Sequence, residues 1–195
     1  MARRSDHSRD QLAAMVIAAA RDIAIAEGSA GVTMRKIAAR IGYAAGSIYN
    51  AVGDQEAVLR RVNAETLEGL VVRLSDLAGE DPMARALCIA DRYVDYVSEN
   101  PGLWAILLER PPLPGEPVPD YYAAPRGRLI EIVAETIGPF FADRVSLRRA
   151  VIALWSALQG VAALAIGGNF QFIGEGEDAR GIARSIVRRY LTGNG

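Results

Sequence analysis

The 195-residue chain reads as an all-α protein of nine helices. Two kinds of observation predict this. Apolar residues recur at three- and four-residue steps along most of the chain, and no run of alternating polar and apolar residues marks a strand. Residues that start and stop helices punctuate those runs: Ser8, Thr33, Asp54, Asp81-Pro82, Asn100-Pro101 and Asp178 at starts, Gly28, Gly42, Gly79 and Gly138-Pro139 at ends. There is no internal repeat and no low-complexity tract.

The elements follow in order. Residues 1–7 are polar and read as disordered. Ser8-Arg9-Asp10-Gln11 has the Ser-x-x-Gln form of a capping box, in which two side chains satisfy free N–H groups of the first turn. It opens a long helix to about Glu27, with Leu12, Met15, Val16 and Ile23 on its inner side, ended by Gly28 and Gly31. Thr33 caps a short helix that turns Ile37, Ala38 and Ile41 inward and stops at Gly42. A second short helix runs from about Ala45 to Ala51, with Ile48 and Val52 on its buried side. Two short helices around a tight glycine turn match the helix-turn-helix unit, whose second helix enters the DNA major groove. Gly53-Asp54 forms a turn, and Asp54 caps a helix to about Leu77. That helix carries Leu59, Val62, Leu70, Leu74 and Leu77, with Thr66 filling the gap in the stripe.

Asp81-Pro82 starts a helix to about Glu99, and Asn100-Pro101 a short one through Trp104, Leu107 and Leu108. Residues 111–119, P-P-L-P-G-E-P-V-P, must be a loop, because proline lacks the donor that helix and inner strand require. A helix from about Ala124 to Ile137 takes Pro125 in its first turn. Ser146 or Asp143 opens a long helix to about Ile166, a glycine-rich loop covers 167–176, and a last helix runs from Asp178 to about Leu191. In it Ile182, Ile186 and Tyr190 form one apolar row beside Ala183, Val187 and Leu191, while Arg180, Arg184 and Arg188 form a solvated face.

Composition bounds the function. Net charge is −1, split as +2 over residues 1–60 and −3 over the remainder. That excludes a generic polybasic nucleic-acid binder but allows DNA contact through the N-terminal part. The single cysteine, Cys88, forms no intrachain disulfide and reads as a small core residue. No apolar segment of a secretory signal stands at the N-terminus, so a cytoplasmic location is expected. Residues 150–174 carry no charge. Ser156, Gln159 and Gly160 interrupt the run, so it reads as a buried helix of a soluble bundle rather than a membrane span. Ala153, Ala157 and Gly160 give it a small-residue side suited to close helix approach. No phosphate loop, dinucleotide fingerprint, nucleophile elbow or zinc-binding His pair occurs, and the only His is His7. Neither an enzyme nor a cofactor is expected.

The helix ending at Glu27-Gly28, then Thr33, Ile37-Ala38, Ile41-Gly42, Gly46, Ile48-Tyr49 and Gly53-Asp54-Gln55-Glu56-Ala57-Val58-Leu59 together resemble the signature of the tetracycline-repressor (TetR) family of bacterial transcription regulators. The resemblance covers about the first 60 residues and is highly specific in order and spacing. Asn100-Pro101-Gly102-Leu103-Trp104 and Trp155-Ser156-Ala157-Leu158-Gln159-Gly160 look like the C-terminal domain type named for its Trp, His and Gly, with Gln159 where that His is expected. The resemblance implies a helix-turn-helix domain over residues 1–53 and a ligand-binding and dimerisation domain over 54–195. It also implies a homodimer paired through its last two long helices, a double-stranded DNA operator, and a small apolar effector that releases it.

By position, the resemblance makes Thr33 and Tyr49 phosphate contacts, and Arg35 with its planar fork a base reader; Lys36 and Tyr43 join them on the DNA side. Ala45, Gly46, Ser47 and Asn50 fall at base-facing positions of the recognition helix. Two residues depart from the pattern: Ala44 stands where Ser or Thr usually caps that helix, and Gln55 replaces a common phosphate-touching Lys. Tyr93, Trp104, Tyr122, Trp155 and Gln159 are candidates for an effector pocket or for core packing. A helical adaptor with weakened DNA binding is the alternative.

Overall fold

The computed structural model describes residues 7–77, 79, 81–111, 115, 117–170 and 178–193; residues 1–6, 78, 80, 112–114, 116, 171–177 and 194–195 lie outside it. Of residues 1–7, expected to be disordered, 1–6 fall outside the described residues, while His7 is described and hydrogen-bonded to Tyr43; most of the expected 167–176 loop and four positions of the proline loop also fall outside them. Among the described residues there are nine α-helices and no strand. They are α1 (Arg9–Glu27), α2 (Met34–Ile41), α3 (Ala45–Val52), α4 (Gln55–Ser75), α5 (Pro82–Glu99), α6 (Pro101–Glu109), α7 (Asp120–Ile137), α8 (Arg144–Ile166) and α9 (Ala179–Thr192).

Most helix starts are made by the residues read from the sequence. Ser8 and Gln11 close the capping box on α1. The Thr33 hydroxyl accepts from the Lys36 N–H at 3.3 Å, and the Asp54 carboxylate from the Ala57 N–H at 2.8 Å. Asp81 caps α5 through the N–H groups of Met83 and Ala84, and Asp178 caps α9 through Gly181. Of the two candidates for α8, Asp143 is the cap: one carboxylate oxygen takes the N–H groups of Val145 and Ser146 at 2.8 and 3.0 Å. Asn100 makes no side-chain cap on α6, and Pro101 alone marks that start.

One boundary differs. The seventh helix begins at Asp120, not near Ala124, with the N–H groups of Tyr122 and Ala123 both bonded to the Pro119 carbonyl. Pro125 therefore sits within the helix rather than at its entrance. It is tolerated because only the Tyr121 carbonyl loses a partner so near the helix start.

The chain forms two compact units: residues 1–66 with 100–123, and 67–99 with 124–195. These packing units do not follow a cut at residue 53, because α4 supplies residues to both and α6 packs on α1. In the first unit Val16, Ala20 and Ile23 of α1 meet Ile37 of α2, Ile48 and Val52 of α3, Leu59 and Val62 of α4, and Leu103 and Ile106 of α6 in one apolar core. Gly102 lets α6 approach α1 closely: a Cβ there would lie 2.7 Å from the Ala24 carbonyl oxygen.

In the second unit α5, α8 and α9 pack on one another. Ala183, Val187 and Leu191 are the buried row of α9, and Ile182, Ile186 and Tyr190 are half-buried. The arginine row is not simply solvated: Arg180 pairs with Asp95 and Arg184 with Asp91, both on α5. Only tertiary packing could reveal this, since each partner is more than 80 residues away. The eighth helix is long and apolar enough, by length and composition, to cross a membrane. It buries one face, through Val151, Leu154, Leu158 and Val161, and leaves Val145, Ile152, Ser156, Gly160 and Ala163 exposed.

Candidate nucleic-acid interface

The interface is built on the two short helices of the first unit. Met34, Ile37 and Ala38 turn α2 inward and thereby turn Arg35 and Lys36 outward. Gly42 ends α2 in the left-handed region (φ 73°), with its N–H and that of Tyr43 both on the Ala38 carbonyl. An L side chain at that φ would be strained, so the glycine makes the sharp turn possible. In α3 the burial of Ile48, Ala51 and Val52 leaves Ala45, Gly46, Ser47, Tyr49 and Asn50 exposed. Tyr49 is a large aromatic with 51% of its surface exposed, which core packing does not explain.

The candidate residues differ in what already holds them. Arg35 is exposed and makes no ion pair among the described residues. Lys36 pairs with Glu27, and Arg40 with Asp22 at 2.9 Å. Both pairs are about half exposed, so each contributes little and can be exchanged for a phosphate. Thr33 is half-buried, and its oxygen accepts the capping bond; its O–H remains able to donate. Gln55 is half-buried at the first position of α4. Tyr43 is also half-buried, its ring packed against the apolar core and its hydroxyl bonded to His7 Nδ1 at 2.6 Å.

The recognition helix lacks a cap. Ala44 has the extended N-cap conformation (φ −71°, ψ 143°) but no side-chain acceptor. The N–H groups of Ser47 and Ile48 share its carbonyl at 3.0 and 3.4 Å. The other end is held from outside: Arg61 of α4 donates to the Val52 carbonyl at 2.8 Å and lies over the Tyr121 ring, 5.3 Å from its centre.

The sequence did not single out His7, Arg40 or Arg61. The spacing of Arg61 on α4 marks it only as a polar position, and nothing local links His7 to a residue 36 positions away.

The effector candidates divide between the units. Tyr93, Trp155 and Gln159 come together in the second: the buried Tyr93 hydroxyl donates to Gln159 Oε1 at 2.6 Å, and the Tyr93 and Trp155 rings meet edge-on at 5.9 Å. Gln159 thus has the structural partner its polar side chain requires among Leu158, Val161 and Leu164. Trp104 and Tyr122 are fully buried in the first unit.

Comparison with known proteins decides the family. A model described as bacterial regulatory proteins, tetR family, matches residues 16–62, and one described as a tetracyclin repressor-like C-terminal domain matches residues 84–190, more than half of the chain. The chain belongs to the TetR family. The first match covers the helix-turn-helix, which makes α3 the recognition helix of a TetR regulator. An HTH-type transcriptional regulator of Mycobacterium bovis is 28% identical over 145 residues, 69% of this chain; the chain spans only 56% of that relative's length. Solved structures agree in fold. A protein of unknown function from Rhodococcus sp. RHA1 superimposes with a TM-score of 0.77 at 17% identity, covering 98% of both chains. The transcriptional regulator FadR from Bacillus subtilis, solved with stearoyl-CoA, gives 0.71 at 13% identity, covering 92% of this chain and 98% of that one.

Proposed function

We propose that this TetR-family chain is a cytoplasmic, homodimeric repressor that binds a double-stranded DNA operator and leaves it when a small apolar effector binds. The observation that carries the DNA reading is the partition of α3. Ile48, Ala51 and Val52 are spent on the core, and Ala45, Gly46, Ser47, Tyr49 and Asn50 stand exposed together, with Arg35 outward on α2. Arg35 reads a base, since a guanidinium can take guanine O6 and N7 together. Thr33, Lys36, Tyr43, Tyr49 and Gln55 contact the backbone, and Ser47 and Asn50 offer polar groups to base edges.

The exposed strip of α8, from Val145 and Ile152 through Ser156, Gly160 and Ala163, and the half-buried row Ile182, Ile186 and Tyr190 of α9 support pairing with a second copy. From Ile152 onward this strip carries no charge, with exposed Arg148 and Arg149 between it and Val145, and an uncharged exposed strip supports association. Tyr93, Trp155 and Gln159 are the effector contacts. FadR, a fold neighbour solved with stearoyl-CoA, supports an effector with a long apolar part.

The test is a mobility-shift assay against the DNA upstream of the protein's own locus. A specific band at low salt is expected, and its absence favours the adaptor reading. Arg35→Ala should cost about 1–3 kcal/mol at one base pair and relax specificity there. Equal weakening on every sequence would remove the base-reading role. Light scattering should give a dimer at micromolar concentration; a monomer would overturn the pairing.

A further inference from the structure

The C-terminal end of the recognition helix is held by a guanidinium. The last carbonyls of a helix have no intrahelical N–H to accept from. In α3 the Tyr49 carbonyl takes the Gly53 N–H, and the Val52 carbonyl takes Arg61 Nη1 at 2.8 Å. A cation at this place also complements the negative end of the helix dipole. The N-terminal end of the same helix has no side-chain cap. Arg61 stands in the second turn of α4 and is part-buried, so its fork is held in one direction.

The guanidinium is itself covered. The Tyr121 ring centre lies 5.3 Å from its carbon, within the range of a cation–π contact. Tyr121 is a large aromatic left 42% exposed, so burial alone does not account for its place. It belongs to the first turn of α7, and that turn is partly separate from the rest of the helix. Residue 125 is proline, so the Tyr121 carbonyl receives no N–H from the following turn. The compact unit that holds α3 and Arg61 also takes in α7 as far as Ala123, while residues from 124 onward belong to the second unit. A planar guanidinium can donate to a carbonyl and stack on a ring at once, which an ammonium does less well.

We propose that Arg61 is a positioning residue for DNA binding: its guanidinium sets the orientation of the C-terminal end of α3, and the Tyr121 ring keeps the guanidinium in place. Through this pair the first turn of α7 bears on the recognition helix. This rests on the DNA-binding reading above. Arg61 acts through the Val52 carbonyl and not on a phosphate, so its charge is not among those that displace counterions from DNA.

The test uses the full chain and a duplex recovered by selection from a random DNA library, with affinity measured over a range of salt concentrations. Arg61→Met keeps the apolar stem and deletes the fork. It should bind about tenfold more weakly, with the same dependence on salt as the unaltered protein. Tyr121→Leu should bind about threefold more weakly, and Tyr121→Phe, which keeps the ring, should bind as the unaltered protein does. With Arg61→Met in place, Tyr121→Leu should have no further effect. In the DNA-free protein, amide exchange across α3 should quicken in Arg61→Met and in Tyr121→Leu, while that of α1 stays the same. A salt slope shallower by about one unit in Arg61→Met would make Arg61 a phosphate contact and overturn the proposal. So would losses that add in the double variant, or exchange that quickens alike in α1 and α3, the mark of general destabilisation. Tyr121→Leu alters an exposed side chain and carries the test by itself if Arg61→Met does not fold: unaltered affinity and unaltered α3 exchange there overturn the proposal. Failure of the unaltered protein to recover any duplex sinks the DNA-binding reading itself, and the positioning role with it.

Discussion

Replacing Ala44 with Ser should stabilise the recognition helix. The backbone at 44 already has the extended N-cap conformation (φ −71°, ψ 143°), and the side chain is exposed, so a hydroxyl fits without rearrangement. What it would supply is visible at the chain's other helix starts. Ser8 accepts from Gln11, Thr33 from Lys36 and Asp54 from Ala57, each three residues on, at 3.2, 3.3 and 2.8 Å. At α3 the corresponding N–H, that of Ser47, has only the Ala44 carbonyl, which it shares with Ile48. Restoring such a cap contributes about 1 kcal/mol, within a range of roughly 0.5–2. That is about a fivefold shift in the local opening equilibrium of an eight-residue helix. Hydrogen exchange of the amides of Ala45–Val52 in the DNA-free protein should slow by that factor. If unfolding is global, Tm should rise by about 2–4 °C. Ala44→Val, which offers no acceptor, should do neither. DNA affinity should rise by up to the same factor if the helix is substantially open before binding. Unchanged exchange across α3 together with an unchanged Tm would refute the reasoning and show that the first turn has no unmet donor.

Three further outcomes follow from contacts elsewhere. Gly102→Ala places a Cβ 2.7 Å from the Ala24 carbonyl oxygen, a backbone atom that cannot step aside, so α1 and α6 must part. A loss of about 1–3 kcal/mol in thermal or denaturant unfolding is expected, and an unaltered melt would show that α6 slides freely. Tyr93→Phe deprives the half-buried Gln159 amide oxygen of its 2.6 Å donor and should cost about 1–3 kcal/mol. Adding Gln159→Leu should recover part of that loss; no recovery would mean the pair is not coupled. The Asp143 carboxyl is held below its ordinary value of 3.8, first by the Ser146 N–H, then by the Ser146 hydroxyl and the Val145 N–H. A depressed folded pKa stabilises the protein above the unfolded value, and that contribution fades as pH falls through the folded one. Acid unfolding of Asp143→Asn should therefore depend less steeply on pH below about 3.8 than that of the unaltered protein. Parallel curves would exclude the cap as a contributor.

The sequence by itself determined the helices and the faces they bury. A cap acts on a backbone N–H two or three residues away, so Ser8, Thr33, Asp54, Asp81, Asp143 and Asp178 carry their meaning locally. Helical spacing likewise turned Ile37 and Ile48 inward, and so left Arg35, Ser47, Tyr49 and Asn50 exposed. The missing cap at Ala44 was legible for the same reason. The start of α7 was not, because several prolines stand close together and any of them could open the helix. Tertiary structure alone decided the polar partners. His7 meets Tyr43, Arg61 meets the Val52 carbonyl and the Tyr121 ring, Tyr93 meets Gln159, and Arg184 meets Asp91 across 93 positions. Periodicity specifies which side of a helix faces inward, but not which helix lies opposite or at what register. A long polar side chain on a helix rim has many possible partners until packing brings one within hydrogen-bond distance.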